Sequence, residues 1–400
     1  MEKPCPIARE CGACARIHTP YDQQLAAKQA LVEELFDDVA DEACVLSPIA
    51  GMDDPWRFRN KIASPFAPAK RRGRAKAGGP AILCGMYAPG THRIVEVVSC
   101  PVEHECGRRI VQAVRGIMRK HGMQAYDEDA QTGFVRYVLV RVAHASGEVL
   151  VTVVTAQREF PGAKGFAREL VRRCPEVTTV VQNVNGRATN AILGSEEHVL
   201  YGPGFIIDQL CGLSFRISSQ SFYQVNPQQA DVLYHRAVEL AGGTGQGAGS
   251  AVEPLIVDAY CGTGTIGLVD AAAFPHARIV GVEKVASAVK DARQNAAHNG
   301  IQNAEFHAQD AGEYLARLAA EGCVPDVLFL DPPRAGASEQ FLQAVAACKP
   351  QRVVYISCNP HTQVRDVRML VKAGYRLSHI QAVDMFPHTD HVECICLLVR

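Results

Sequence analysis

The chain has 400 residues, 48% apolar and 21% charged, with a formal net charge of -1. That length suffices for two domains with substantial cores, and that balance excludes a disordered or fibrous protein. The near-neutral total hides one strongly basic run, Lys70-Arg71-Arg72-Gly73-Arg74-Ala75-Lys76, a candidate phosphate-binding loop. No apolar run reaches the length of a membrane span, and Met1-Glu2-Lys3-Pro4 does not open a signal peptide, so a cytoplasmic protein is expected. In that compartment the 15 cysteines are expected as reduced thiols, metal ligands or catalytic groups rather than disulfides.

Cysteines come first along the chain. Cys5, Cys11 and Cys14 give C-x5-C-x2-C, and Cys100, in Val98-Ser99-Cys100-Pro101, supplies a distant fourth. Four thiolates can hold a [4Fe-4S] cluster, or a tetrahedral zinc ion. Cys84 and Cys106 compete for the fourth place. The C-x3-C-x2-C spacing of radical S-adenosylmethionine enzymes is absent. Tyr21 to Phe36 has good helix formers and no breaker. From about Gly51 to Cys211 the runs are β-like and closely spaced, as in Phe134–Val142 and Val149–Thr155, and predict an antiparallel sheet. Within this stretch Arg57, Arg59 and Lys61 form a second basic patch. Ala241 to Gly249 is glycine-rich and reads as a loop.

From Leu255 the rhythm changes. Strands at Leu255–Asp258, Ile279–Val282 and Ala304–Ala308 alternate with helices at Ala286–Asn299 and Glu313–Ala320, which predicts a doubly wound α/β sheet. The expected organisation is a cysteine segment at 1–20, a central α+β domain at 21–210 and a Rossmann-like domain at 211–400. Gly262, Gly264 and Gly267 follow the first strand as G-x-G-x-x-G, and Glu283 ends the second strand. Such a turn lets backbone approach a nucleotide while the acid meets ribose hydroxyls. It fits a nicotinamide-dependent oxidoreductase almost as well as a methyltransferase, and a plain strand-to-helix turn is the bland alternative.

Three later segments discriminate. Asp331-Pro332-Pro333-Arg334 and Ser357-Cys358-Asn359-Pro360 follow the apolar runs Val327–Leu330 and Val353–Ile356, while Glu393 lies within Val392–Val399. In an α/β sheet the carboxyl ends of strands carry the ligand crevice. Many nucleic-acid methyltransferases place D/N-P-P-x there, beside a target base. A thiol that adds to C6 of uracil gives C5 carbanion character toward a methyl donor. A carboxylate must then take the C5 proton so that the thiolate can leave. Cys358 and Glu393 supply that pair. The bland readings are inert packing for the thiol and a salt-bridged acid for Glu393, but a carboxyl inside an apolar strand is expected to have a raised pKa suited to a base.

With Phe222-Tyr223-Gln224-Val225-Asn226, Asp258 to Gly264 and Phe386 to Glu393, these segments resemble the RNA (uracil-5)-methyltransferase family in identity, order and spacing over residues 215 to 400. The resemblance implies Cys358 as nucleophile and Glu393 as base. It places Gln224, Tyr260, Glu283, Asp310 and Asp331 around S-adenosylmethionine and the target base, with Thr265 lining the same cofactor. Tyr260 stands where several relatives have phenylalanine. The ribosomal-RNA branch carries the cysteine cluster, with its fourth ligand in a Cys-Pro context like that of Cys100, whereas the bacterial tRNA branch lacks it. Some ribosomal-RNA members begin with a small β-barrel, for which a first cysteine at residue 5 leaves no room. The implied function is uridine C5 methylation of 23S rRNA through a covalent cysteine adduct, with a [4Fe-4S] cluster and a uridine in a loop or flipped out. No membrane and no obligate protein partner are implied. The alternatives are tRNA as substrate and, from another class, a non-catalytic iron–sulfur RNA-binding protein.

Overall fold

The computed structural model describes residues 5–69, 80–242 and 253–400. The basic run 70–76 lies outside the described residues, as does most of the glycine-rich stretch. The chain forms two compact units that interleave in sequence. One contains the stretch up to His18 with Asp54–Gln209 and Phe215–Pro227; the other contains Thr19–Asp53, Leu210–Ser214 and Gln228–Arg400. A single cut near 210 was expected, and the difference has a physical cause. Val32 and Phe36 of the helix Tyr21–Phe36 are fully buried in the core of the second unit. The strand Val45–Ala50 pairs in parallel with Arg376–Val383, more than 300 positions away. Long-range pairing of this kind leaves no local signature. Conversely, the Val225 carbonyl accepts the Asn60 N–H and the Ser221 carbonyl accepts from Arg141, which ties 215–227 to the first unit.

The first unit is a seven-stranded sheet in the order 94–96, 82–87, 61–68, 135–142, 149–155, 177–184, 196–201. Its neighbours are antiparallel as expected, except that Val149–Thr155 and Val177–Val184 run parallel. The helix Ala163–Arg173 supplies the crossover that a parallel pair requires. It packs with the helix Glu105–Lys120 on the sheet, around Ile110, Val114, Val138, Val151 and Phe166.

The second unit has eight strands in the order 45–50, 376–383, 393–399, 352–357, 327–330, 255–259, 278–283, 304–308. Every pair is parallel except those made by Glu393–Val399, which runs against both neighbours. Leu255–Ala259 and Val327–Leu330 are buried at every position, as strands covered on both faces must be. Strand order reverses between them: the chain leaves Leu255–Ala259 toward 278–283 on one side and returns to 327–330 on the other. Such a reversal opens a crevice at the carboxyl ends of the two strands. Among the described residues no helix is long and apolar enough to cross a membrane.

Candidate active site

Register brings the reactive residues of the second unit together. Val353 pairs with Leu398, Ile356 with Ile395 and Ser357 with Cys394 in the antiparallel ladder. Cys358 follows Ser357 and Glu393 precedes Cys394, so both adjoin the last pair of that ladder. Asp331 follows Leu330, which lies beside Ala259 on one side and Tyr355 on the other. One step further along both ladders, Asp331 is level with Tyr260 and Ile356. A thiol and two carboxyls therefore share one end of the sheet.

Their electrostatics agree. Burial, then the charge of Asp331, pushes Glu393 up to about 8, as expected for a carboxyl inside an apolar strand. Burial pushes Asp331 up to about 7. Cys358 is pushed up to about 11 by burial, then by Glu393 and Asp331, with Arg334 opposing. Three acids in one desolvated site oppose one another's ionisation, so near neutrality the thiol is protonated while the two carboxyls titrate. Cys358 itself is half-buried, in the turn before the helix Pro360–Lys372, which starts on a proline as helices tolerate. Asn359 Nδ2 and Thr362 Oγ1 both donate to the Arg334 carbonyl, at 3.1 and 3.2 Å, joining the thiol turn to the Asp331–Arg334 loop.

The glycine turn is built from its own strand. Fully buried Asp258 accepts the Gly267 N–H at 2.8 Å and is pushed up to about 8 by burial and by Asp331 and Glu283, against that hydrogen bond. Glu283 accepts from Gly262 N–H at 3.2 Å and from Val285 N–H at 2.8 Å. Gly264 has φ +80, and a Cβ there would lie 2.9 Å from the Phe306 ring, so only glycine fits. Thr265 begins the helix Thr265–Ala273 and is half-buried. Tyr260 has φ +65 and packs its ring 5.1 Å from that of Phe341; burial, then Asp310 and Asp366, push it up to about 12. Asp310 caps the helix Ala311–Ala320, its Oδ1 accepting from Gly312 and Glu313 N–H. Glu313 had been expected to open that helix. Asp331, Tyr260, Thr265, Glu283 and Asp310 all stand at this sheet end; Gln224 belongs to the first unit, where it is buried.

The cysteine segment lies in the first unit and has no sheet to order it. Cys5 to Gly12 winds through the single-turn helix Ala8–Cys11, which Gly12 ends at φ +65 with Pro89 2.2 Å from where a Cβ would sit. Cys14 is pushed up to about 12 by burial, then by the thiols of Cys100, Cys11 and Cys5, with Arg59 opposing. Cys100, Cys11 and Cys5 therefore all lie near Cys14. Cys100 is raised to about 11 by burial and Glu103, while the N–H groups of Val102 and Glu103 stabilise its charged form. The two competitors lie elsewhere: Cys84 is in the core beside Gln112, and Cys106 donates to Glu176. The patch Arg57, Arg59, Lys61 is largely engaged. Arg57 is exposed but 3.5 Å from Glu105, Arg59 donates to the Lys61 carbonyl, and burial with Arg141 and Arg59 lowers Lys61 to about 8.

Sequence reasoning quoted Asp258 and Arg334 within motifs but gave neither a role; the Arg334 guanidinium meets His391 Nδ1 at 3.3 Å. The signal for Arg334 was its place in Asp331-Pro332-Pro333-Arg334; Asp258 had only a charge inside an apolar strand.

The model of the tRNA (uracil-5-)-methyltransferase family matches residues 183–400. An uncharacterised RNA methyltransferase of Bacillus cereus is 38% identical over 397 residues, 99% of this chain and 82% of the relative. Another, of Halalkalibacterium halodurans, is 38% identical over 399 residues, 100% of this chain and 83% of the relative. The structure of Pyrococcus abyssi tRNA (uracil-54, C5)-methyltransferase in complex with S-adenosyl-L-homocysteine is similar with a TM-score of 0.76 at 26% identity, covering 100% of this chain and 88% of that one. With a strand-end thiol and two carboxyls at the sheet's crevice, and with relatives this similar over nearly its whole length, the chain belongs to the RNA uracil-5-methyltransferase family.

Proposed function

We propose that this chain methylates C5 of a uridine in RNA with S-adenosylmethionine as donor. What supports the reading is that the Cys358 turn, Glu393 and Asp331 adjoin the same ends of paired strands, where Glu393 and Asp331 both act on the Cys358 thiol. The Cys358 thiol loses its proton to solvent and adds to C6 as the thiolate, whose electron pair drives the pyrimidine toward an enolate. C5 then displaces the sulfonium methyl, forming a carbon–carbon bond and leaving S-adenosylhomocysteine. Glu393 takes the C5 proton, the C5–C6 double bond re-forms, and the sulfur–C6 bond breaks to return the thiolate. Asp331 holds the base and keeps the Glu393 carboxyl basic through its charge. Tyr260, Thr265, Glu283 and Asp310 hold the donor; Gln224 is assigned a donor contact on the resemblance of its segment to the family alone.

Cys5, Cys11, Cys14 and Cys100 are proposed to hold a [4Fe-4S] cluster. The influence of the other three on Cys14 and the N–H groups that favour the Cys100 thiolate suit a thiolate ligand set. Zinc, which four cysteine thiolates also satisfy tetrahedrally, is the alternative occupant. Bound there, the cluster supplies a structural crosslink; the methylation needs no electron transfer.

For substrate, 23S rRNA is our reading, resting on the cysteine segment's resemblance to the ribosomal-RNA branch. The similarity to the Pyrococcus abyssi tRNA enzyme favours tRNA as the second reading. RNA carrying 5-fluorouridine at the target tests the chemistry, because fluorine cannot leave as a proton does. We expect a denaturation-resistant RNA–protein adduct with the native chain and none with Cys358→Ala. Active enzyme that forms no adduct would overturn the mechanism. Mass analysis of rRNA and tRNA from a deletion strain separates the two substrates.

A further inference from the structure

The helix Tyr21–Phe36 turns three polar side chains inward. Tyr21, Gln24 and Lys28 recur at helical spacing on one face, and Gln24 and Lys28 are only 2% and 4% exposed. Their ends converge on the segment Asp384–His388, which leads to Glu393. Lys28 Nζ pairs with Asp384 Oδ1 at 2.6 Å and donates to the Phe386 carbonyl at 3.0 Å. The Tyr21 hydroxyl donates to Asp384 Oδ2 at 2.7 Å and accepts the Met52 N–H at 2.9 Å. Gln24 Oε1 accepts the His388 N–H at 2.8 Å, while its amide nitrogen meets His388 Nδ1 at 3.2 Å and donates to the Thr19 carbonyl at 2.8 Å.

This arrangement is costly. Asp384 is fully buried, and a desolvated ion pair stabilises a fold no better than well-packed apolar residues would. His388 is buried with φ +66, a left-handed conformation unfavourable to a non-glycine residue. Gln24 grips both the backbone and the ring of that residue. Beyond it the segment is tied across itself. Thr389 Oγ1 donates to the Phe386 carbonyl and accepts the His391 N–H, and His391 reaches Arg334. The strand Glu393–Val399 starts two residues later.

We propose that Tyr21, Gln24 and Lys28 are positioning residues for the catalytic base: they fix the 384–392 segment, and through it the place of the Glu393 carboxylate relative to the substrate carbon. The inference rests on the reading of Glu393 as base. It explains an internal ion pair between positions 28 and 384 where an apolar pair would serve stability alone. It also explains why the strained residue is the one gripped twice.

The test uses the full chain and times two steps separately: formation of the RNA adduct, and its resolution after methyl transfer. In Lys28→Met and Gln24→Met, adduct should form within about twofold of the native rate but resolve at least tenfold more slowly, so that methylated adduct accumulates as in Glu393→Gln. Melting temperature and donor binding are measured alongside. Gln24→Met leaves the ion pair intact and reads the same step if Lys28→Met does not fold. Equal slowing of both steps, or native resolution per folded molecule despite a lowered melting temperature, would show a merely structural helix and overturn the proposal. Absence of adduct build-up in Glu393→Gln would instead overturn the assignment of the base, a separate and distinguishable result.

Discussion

Two groups of thiols in this chain sit on very different foundations. Cys358 lies one residue past a strand buried at every position but its first, and that strand is held in register with a neighbour on each side. Cys5, Cys11, Cys14 and Cys100 lie on a one-turn helix, turns and a loop, where no register exists. A sheet end holds its groups at fixed spacing before any ligand arrives. A turn-borne set gains rigidity from whatever it binds. The first arrangement suits a nucleophile that must meet one carbon atom, the second a crosslink.

The sharpest way to break that contrast is to remove one thiol from each. Cys358→Ala should abolish turnover, a loss on the order of 10^4-fold or more, with the melting temperature and iron content unchanged. Cys100→Ala should remove the iron and its broad visible absorption and loosen the N-terminal segment, with donor affinity intact. Cys84→Ala and Cys106→Ala should keep the metal, since those thiols face Gln112 and Glu176. Iron analysis, absorption and single-turnover assays read all four. Iron retained in Cys100→Ala, or lost in Cys84→Ala, would remove the cluster assignment.

How legible each region was follows the same division. Periodicity and β-branched runs announced the strands of the α/β sheet, and their sequence order placed Asp331 and Cys358 at strand ends, because buried parallel strands write themselves as continuous apolar runs. What could not be read was pairing between distant segments. The helix Tyr21–Phe36 was legible as a helix, but nothing local tells that Lys28 meets Asp384. The same holds for the strand Val45–Ala50 at the sheet edge. Spacing grouped Cys5, Cys11 and Cys14, whereas the choice of Cys100 over Cys84 and Cys106 had rested on the following proline; the structure adds Cys100 as a neighbour of Cys14.

A second test concerns protons. Glu393 accepts the C5 proton only when ionised, and burial with the Asp331 charge raises it to about 8. Resolution of the methylated adduct should therefore slow as pH falls below about 8, approaching tenfold per unit. Asp331→Asn removes a neighbouring negative charge and should shift that limb to lower pH, beside any loss of rate. Stopped reactions between pH 5.5 and 9 measure it. A resolution rate flat across that range would mean that another group takes the proton.

RNA grip offers a smaller effect. Phe222 is 70% exposed, two residues before buried Gln224, in the segment 215–227 of the first unit. A bare aromatic ring suits stacking on an unpaired base, worth about 1–3 kcal/mol. Phe222→Ala should weaken RNA binding by roughly 5- to 100-fold at constant salt, while donor affinity and iron content stay unchanged. Unaltered RNA affinity would return this ring to the ordinary exposed surface.

The smallest effect separates a buried acid with a role from one without. Asp270, in the helix Thr265–Ala273, is fully buried, both its oxygens lack a hydrogen-bond partner among the described residues, and burial with Asp258 raises it well above the usual carboxylate range. A raised carboxyl is neutral in the fold but ionises in the unfolded chain. The stability it allows is complete below the unfolded value near 4 and is lost as pH rises toward the folded value. Asp270→Asn carries no such charge. It should melt with the native chain at pH 4 and above it at pH 8, by a few degrees for each kcal/mol of relief, about 2–4 °C in a unit of this size. Glu393→Gln should show the same pH-dependent gain while losing adduct resolution, because its buried carboxyl is kept for the reaction. Calorimetry at the two pH values decides. A gain at pH 4 equal to that at pH 8 would assign the effect to packing rather than to the proton.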